Sequence, residues 1–344
     1  MQAKEMGEVA HMKIVMTQPL CQEGLELLNK EELYIANNPD PHCYLDAMQD
    51  ADALIVRIGK CDAETIDSSP ALKVIGRPGV GYDSVDVKRA TEKGIPVVVT
   101  PGANSRSVAE HAVAMMFALA KNIVEAHNES IKGNWNIRDA HKAFELKGKC
   151  IGLIGLGPIG RETAQICRGI GMQVMAYDPF FTSEQIEQQG ILCAETLKQL
   201  LNTADIVSVH MPLVEATRDL IAVREMQQMK PAALLINCSR GGIVNETDLC
   251  KALQSGVIAG AALDVFTTEP LRADDPLLSA PNLIVSPHAA AQTREAVVRM
   301  ATMCVKGCLA VCGGKKWPYV VDKNVYNHPR WQGKEMVTQD ELEE

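Results

Sequence analysis

Residues 150–169 read CIGLIGLGPIGRETAQICRG. The run Cys150-Ile151-Gly152-Leu153-Ile154 is short and apolar, as expected of a strand buried on both faces. Gly155-Leu156-Gly157-Pro158-Ile159-Gly160 follows at once, and residues 161–169 open a helical pattern. In such a strand–turn–helix the first glycine permits the tight turn and the second lets backbone approach a pyrophosphate. The third lets helix and strand pack closely, and the helix start offers unpaired N–H groups to the anion. Asp178 ends the next strand, eighteen residues after Gly160. A carboxylate there accepts hydrogen bonds from both ribose hydroxyls and repels a 2′-phosphate. The pattern therefore predicts NAD rather than NADP, held by Gly155, Gly157, Pro158, Ile159, Gly160 and Asp178.

Outward from this turn, short β-branched runs alternate with helical patterns almost throughout. Before it, strands are expected at 13–16, 33–36, 53–57, 73–77 and 96–100, with a helix over 84–93. A longer helix follows, in which Ser107-x-x-Glu110 reads as a capping box ahead of the stripe Val108, Ala112, Met115, Met116 and Leu119. A second series is expected at 150–154, 174–177, 206–210, 234–237, 258–265 and 283–286. The long helix and the irregular stretch 132–146 interrupt the alternation, which argues for two doubly wound parallel-sheet domains rather than one barrel. A length of 344 residues fits two domains at roughly 150 residues each.

The net charge is −9, from 34 basic and 43 acidic residues, which argues against a nucleic-acid or anionic-membrane binder. Residues 331–344 read as an acidic solvated tail, and residues 1–11 as a polar N-terminal extension without the apolar core of a secretory leader. The 11 cysteines follow no disulfide framework, so reduced thiols in a cytoplasm are expected. No apolar run reaches the roughly 20 residues needed to span a bilayer. Cys304, Cys308 and Cys312 share one helix face, yet no His or acid completes a ligand set, so they read as packing and no metal is expected.

Ligands of open parallel sheets bind beyond the carboxyl ends of the strands. The residues following the second-series strands are therefore the candidates. These are His210 with Pro212 after the third, Ser239 and Arg240 after the fourth, Asp264 and Glu269 after the fifth, and His288 after the sixth. Hydride transfer to a 2-keto acid needs a cation for the carboxylate, a proton donor for the developing alkoxide, and a group that keeps the donor protonated. Arg240 suits the first role, His288 the second and Glu269 the third. His210 suits the adenine side of a bound dinucleotide better than chemistry.

The chain closely resembles the D-isomer-specific 2-hydroxyacid dehydrogenase family. Similar blocks run from about Val56 to His288, including Val74-Ile75-Gly76-Arg77-Pro78-Gly79-Val80-Gly81-Tyr82-Asp83, Asn104-Ser105-Arg106-Ser107-Val108-Ala109-Glu110 and Ile236-Asn237-Cys238-Ser239-Arg240-Gly241-Gly242. Further blocks are Glu145-Leu146-Lys147-Gly148-Lys149, the glycine turn, and Ala262-Leu263-Asp264-Val265-Phe266 with Glu269-Pro270. The resemblance implies that Arg240 binds the substrate carboxylate and carbonyl, that His288 is the acid/base, and that Glu269 pairs with it. It places Asp264 on the nicotinamide carboxamide, the amides around Gly79, Val80 and Gly81 on the substrate, and Asn104 in the cleft; Pro212, Thr217 and Cys238 join the cofactor site. The segment Ala289-Ala290-Ala291 lacks the glycine often found there in the family.

The fold implied is a Rossmann NAD-binding domain, residues 105–290, inserted into a flavodoxin-like substrate domain made of 12–104 and 291–330, in a homodimer. Arg57 stands where phosphoglycerate dehydrogenases place a phosphate-facing arginine, with Lys60 and Arg77 nearby, so a substrate with an anionic tail is expected. Glyoxylate/hydroxypyruvate reduction is the alternative, and an NAD-sensing corepressor of the same fold the rival from another class. The chain ends without room for an appended regulatory domain, so serine feedback through such a module is not expected.

Overall fold

The computed structural model describes residues 11–140 and 143–343, and the chain divides into two compact units. One comprises the described residues up to Asn104 together with those from Arg294 onward; the other is Ser105–Thr293. The return to the first unit thus falls at 293/294 rather than at the expected 290/291. Nearly all of the expected extension 1–11 lies outside the described residues.

The first unit is built on β1 (Lys13–Met16), β2 (Glu32–Ile35), β3 (Ala53–Ile55), β4 (Val74–Gly76) and β5 (Val97–Val98). All pairings are parallel, in the order β2-β1-β3-β4-β5, which is the flavodoxin-like arrangement. Strand alternation feeds two cores: Ile14, Met16, Ala53, Ile55 and Val74 enter one, Val15, Leu54 and Ile75 the other. The helix Arg294–Cys312 covers the first face. Its Cys304 and Cys308 are buried there, and a Cβ at Gly76 would lie 2.8 and 2.6 Å from their sulfurs. The cysteine stripe therefore packs against a strand that carries no side chain at that position.

Three local expectations change. The helix expected over 84–93 is Val87–Glu92, because Asp86 accepts the Arg89 amide and sets the N-cap. The long helix is Ser105–Ala120, so Ser107 lies inside it rather than capping it. Its hydroxyl donates to the Ala290 carbonyl at 2.6 Å, and Glu110 pairs with Arg106. Residues 331–343 are not a free tail: Trp331 and Val337 are buried, and the Trp331 indole donates to the Gly94 carbonyl at 2.8 Å. Apolar side chains spaced among the acids anchor one face, and Glu341 pairs with Lys315.

The second unit holds β6 (Cys150–Ile154), β7 (Gln173–Tyr177), β8 (Leu192–Cys193), β9 (Ile206–Val209), β10 (Leu234–Asn237), β11 (Gly260–Leu263) and β12 (Leu283–Val285). The order is β12-β11-β10-β9-β6-β7-β8, all parallel. This is the Rossmann arrangement with one further strand at the β12 edge. The sheet has seven strands where six were expected. The additional β8 is two residues long with an exposed Leu192, too short to show a period. Again both faces are apolar: Ile151 and Leu153 enter one core, Cys150 and Ile154 the other. The order reverses between β6 and β9, so the glycine turn after β6 sits at the switch point. Among the described residues, no single helix is long and apolar enough to cross a membrane.

Candidate active site

At the switch point the three glycines do three different things. Gly155 has φ +100°, in the left-handed region that favours glycine, and a Cβ there would stand 2.7 Å from the His210 carbonyl oxygen. A Cβ on Gly160 would lie 2.4 Å from the Gly155 oxygen, so the helix Pro158–Gly169 can close onto the turn only with glycine there. Gly157 is unlike both: its φ is ordinary, at −65°, and a Cβ would meet nothing within 4 Å. Packing does not require glycine at 157, and the bare backbone leaves the approach to the helix start clear. Pro158 occupies the first turn, where it forfeits no helical hydrogen bond, and no side chain caps the terminus.

Asp178 closes this cradle, one oxygen accepting the Leu156 amide at 2.8 Å and the other the Phe180 amide at 2.9 Å. His210 donates or accepts at Nε2 with Ser208 Oγ, 2.9 Å away, while its enclosed Nδ1 has no partner among the described residues. Burial pushes its imidazole down to about 4, so it is neutral at physiological pH. The open face over Gly157, the bare helix terminus and the orphaned nitrogen fit a dinucleotide. Thr217 contributes differently. Its hydroxyl donates to the Pro212 carbonyl at 2.7 Å and accepts the Val214 amide at 2.8 Å, holding the loop after β9. Cys238 is buried with its sulfur 3.7 Å from that of Met115, and burial, then the nearby Asp264 charge, pushes its thiol up. It packs and stays neutral.

Arg240, Glu269 and His288 converge beyond β10, β11 and β12. The His288 Nδ1 lies 2.7 Å from Glu269 Oε2, and Oε1 of the same carboxylate accepts the Phe266 amide at 2.9 Å. Burial alone would raise Glu269, but the His288 and Phe266 hydrogen bonds and the charges of His288 and Arg240 hold it below the usual carboxylate range. Arg240 donates to the Ser239 carbonyl at 2.7 Å, and its own carbonyl accepts from Asn237. Gly241 makes the meeting possible: a Cβ there would lie 1.9 Å from the Phe266 carbonyl carbon. Only a glycine lets the β10 loop touch the β11 loop and bring a guanidinium toward a carboxylate.

The structure also shows what holds His288. Its φ is +52°, unusual for a residue with a side chain. Asp264, fully buried, accepts the His288 amide on its main-chain oxygen at 2.8 Å. Its Oδ1 accepts the Ala289 amide at 2.8 Å and its Oδ2 the Ala290 amide at 2.9 Å. Asp264 therefore organises the turn rather than lying open with both oxygens free. Ser286, which donates to Asp264, and His111 behind it were not singled out from sequence.

The expected substrate residues lie in the first unit, at the carboxyl ends of its strands. Arg57 follows β3, its amide donating to Thr17 Oγ1 and its guanidinium to the Pro19 carbonyl, each at 3.0 Å. Arg77 uses one guanidinium nitrogen on the Val56 and Arg57 carbonyls, so it braces the end of β3. Gly79, Val80 and Gly81 follow β4 half-buried, the Gly79 carbonyl accepting the Thr100 amide. Asn104 is buried, and its Oδ1 has no partner among the described residues. No group of three or more His, Cys, Asp or Glu among the described residues could hold a metal ion.

A carboxylate-paired imidazole and a guanidinium thus stand on the ligand edge of a Rossmann sheet, beside its glycine turn. Residues 113–290 match the model of the D-isomer specific 2-hydroxyacid dehydrogenase, NAD binding domain. The chain is 36% identical over 324 residues to glyoxylate reductase of Aeropyrum pernix, covering 91% of this chain and 96% of that one. It is 39% identical over 320 residues to D-3-phosphoglycerate dehydrogenase of Methanocaldococcus jannaschii, covering 92% of this chain but only 60% of the relative's length. A solved structure, the NADPH-dependent glyoxylate/hydroxypyruvate reductase of Sinorhizobium meliloti with NADP and malonate, superposes with a TM-score of 0.81 at 29% identity, covering 92% and 98% of the two chains. The chain belongs to the D-isomer-specific 2-hydroxyacid dehydrogenase family and carries its nicotinamide-nucleotide domain.

Proposed function

We propose that the protein transfers a hydride between a nicotinamide dinucleotide and C2 of a small D-2-hydroxy acid or 2-keto acid. The observation that carries this reading is the 2.7 Å contact of His288 Nδ1 with Glu269 Oε2. An ionised carboxylate only accepts, so the shared hydrogen sits on Nδ1 and Nε2 is left to exchange the working proton. In the reductive direction a dihydronicotinamide held there would supply the hydride for C2. His288 gives its Nε2 proton to the carbonyl oxygen, Glu269 stabilises the imidazolium beforehand, and Arg240 engages the carboxylate and the growing negative charge. Gly157 and the helix start it precedes take the pyrophosphate, and Asp178 takes the ribose hydroxyls.

The preferred cofactor is NAD. The segment Asp178-Pro179-Phe180-Phe181-Thr182-Ser183 holds a carboxylate and no cation to receive a 2′-phosphate. The substrate half is the first unit, where Arg57 and Lys60 favour an anionic tail such as phosphate. Unsubstituted glyoxylate or hydroxypyruvate is the second reading, favoured by the match to glyoxylate reductase over nearly that protein's whole length. Eleven unpaired thiols support a cytoplasmic protein, and the −9 charge one that binds neither nucleic acid nor anionic membrane.

A homodimer through the second unit is supported by the helices Ile123–Ser130 and Ile137–Ala140. They bury no residue, while nearby Ile131 is 71% and Trp135 77% exposed. Apolar surface of this kind marks interaction sites. The test of function is NADH oxidation at 340 nm with 3-phosphohydroxypyruvate, hydroxypyruvate, glyoxylate, pyruvate and sulfopyruvate. Turnover with at least one is expected, and turnover with none would remove the dehydrogenase reading.

A further inference from the structure

Behind the His288 turn stands a second imidazole that the proposed reaction does not use. His111 lies on the helix Ser105–Ala120, with its Nε2 3.0 Å from Ser286 Oγ and 3.6 Å from Asp264 Oδ1. The Ser286 hydroxyl is 2.5 Å from Asp264 Oδ1. A hydroxyl has one proton, and a buried carboxylate is the stronger acceptor, so Ser286 donates to Asp264. The hydrogen in the other contact must then come from His111, which fixes it as an Nε2–H donor. The chain ends on the Asp264 oxygens that accept the Ala289 and Ala290 amides, next to a His288 backbone held at φ +52°. A left-handed conformation on a residue with a Cβ persists only where its surroundings over-determine it.

We propose that His111 is a positioning residue. Its Nε2–H orients the Ser286 hydroxyl, which locks the buried Asp264 carboxylate in the rotamer that pins the His288 turn. The inference rests on the reading of His288 as the proton donor. Without the His111 donor the Ser286 hydroxyl can rotate, the Asp264 carboxylate loses its fixed orientation, and the imidazole samples unproductive positions. The hydrogen-bonded chain includes neither Arg240 nor the face over Gly157, to which the proposed function gives the substrate carboxylate and the pyrophosphate.

The test compares the full-length protein with His111→Leu, His111→Gln and Ser286→Ala. Readouts are steady-state reduction of the best keto acid, NADH affinity by fluorescence, and amide hydrogen exchange at Ala289 and Ala290. His111→Leu is expected to lower kcat about tenfold, the worth of one oriented hydrogen bond, with KM and NADH affinity within twofold and faster exchange at both amides. His111→Gln, whose amide can donate from nearly the same place, is expected to restore most of the kcat. Ser286→Ala is expected to match His111→Leu, and the double variant to be no worse than either, as for residues acting in one chain. Wild-type kcat in His111→Leu, an equal loss in His111→Gln, or a loss that appears only in NADH affinity would each overturn the proposal. Exchange separates the two inferences: unchanged protection at Ala289 and Ala290 sinks the positioning role even if no keto acid is turned over, whereas an inactive wild type with the expected exchange pattern sinks only the reading of His288.

Discussion

Replacing Gly157 and Gly160, one at a time, by alanine separates nucleotide binding from folding within four residues of one turn. At 160 the added methyl would lie 2.4 Å from the Gly155 carbonyl oxygen, well inside van der Waals contact, so backbone must move. Overpacking of this kind costs about 1–3 kcal/mol, and for a domain of this size each kcal/mol lowers Tm by roughly 2–4 °C. At 157 the methyl enters clear space on a backbone with φ −65°, and only the weaker N-cap preference of alanine, under about 1 kcal/mol, is lost. That clear space is where the pyrophosphate must come within hydrogen-bonding distance of the amides. Losing one charge-assisted contact of about 1.5–3 kcal/mol weakens NADH binding roughly 10- to 100-fold. Thermal melts and NADH fluorescence titrations on both variants read the two effects. Gly157→Ala is expected to melt close to wild type and bind NADH poorly, and Gly160→Ala to melt several degrees lower. Wild-type NADH affinity in Gly157→Ala would refute the assignment of that face to the pyrophosphate.

Three further outcomes follow from the same geometry. Glu269→Gln removes the carboxylate that accepts from His288 Nδ1, so kcat is expected to fall about 10- to 100-fold with NADH affinity unchanged; a wild-type kcat would contradict the pairing. Folding stability is expected to decline between pH 6.5 and 4. His210 is held neutral in the folded protein, down to about 4, while the unfolded chain takes up a proton below its ordinary 6.5, a loss of about 1 kcal/mol at pH 5.5. Denaturant titrations of the protein and of His210→Asn should differ in slope over that range, and identical slopes would show that the imidazole charges freely. Ile131→Lys with Trp135→Lys is expected to yield a monomer in sedimentation, and an unchanged assembly would move the contact elsewhere.

The glycine turn was legible because backbone contacts at Gly155 and Gly160 leave no room for a side chain, while Gly157 keeps the approach to the helix start clear, and the strand-end filter placed Arg240, Glu269 and His288 on one edge for a topological reason. What escaped was set by tertiary contact. The two-residue β8 carries no periodicity, and Ser107 resembles a cap until its hydroxyl is seen on Ala290. The acidic end looked solvated because charge dominates its composition, although Trp331 and Val337 anchor it. That the Asp264 side chain also gathers the amides of Ala289 and Ala290 gave no local signal, because it depends on a turn 25 positions away. His111 gave no local signal, since a partner 175 positions away defines it.

His288→Gln, assayed for keto-acid reduction and for NADH affinity in the same preparation, tests the proposed chemistry most directly. The amide cannot supply the imidazolium proton, so kcat is expected to fall about 10²- to 10⁴-fold with NADH affinity nearly unchanged. Turnover within a few fold of wild type would show that another group delivers the proton and that the His288–Glu269 contact is structural.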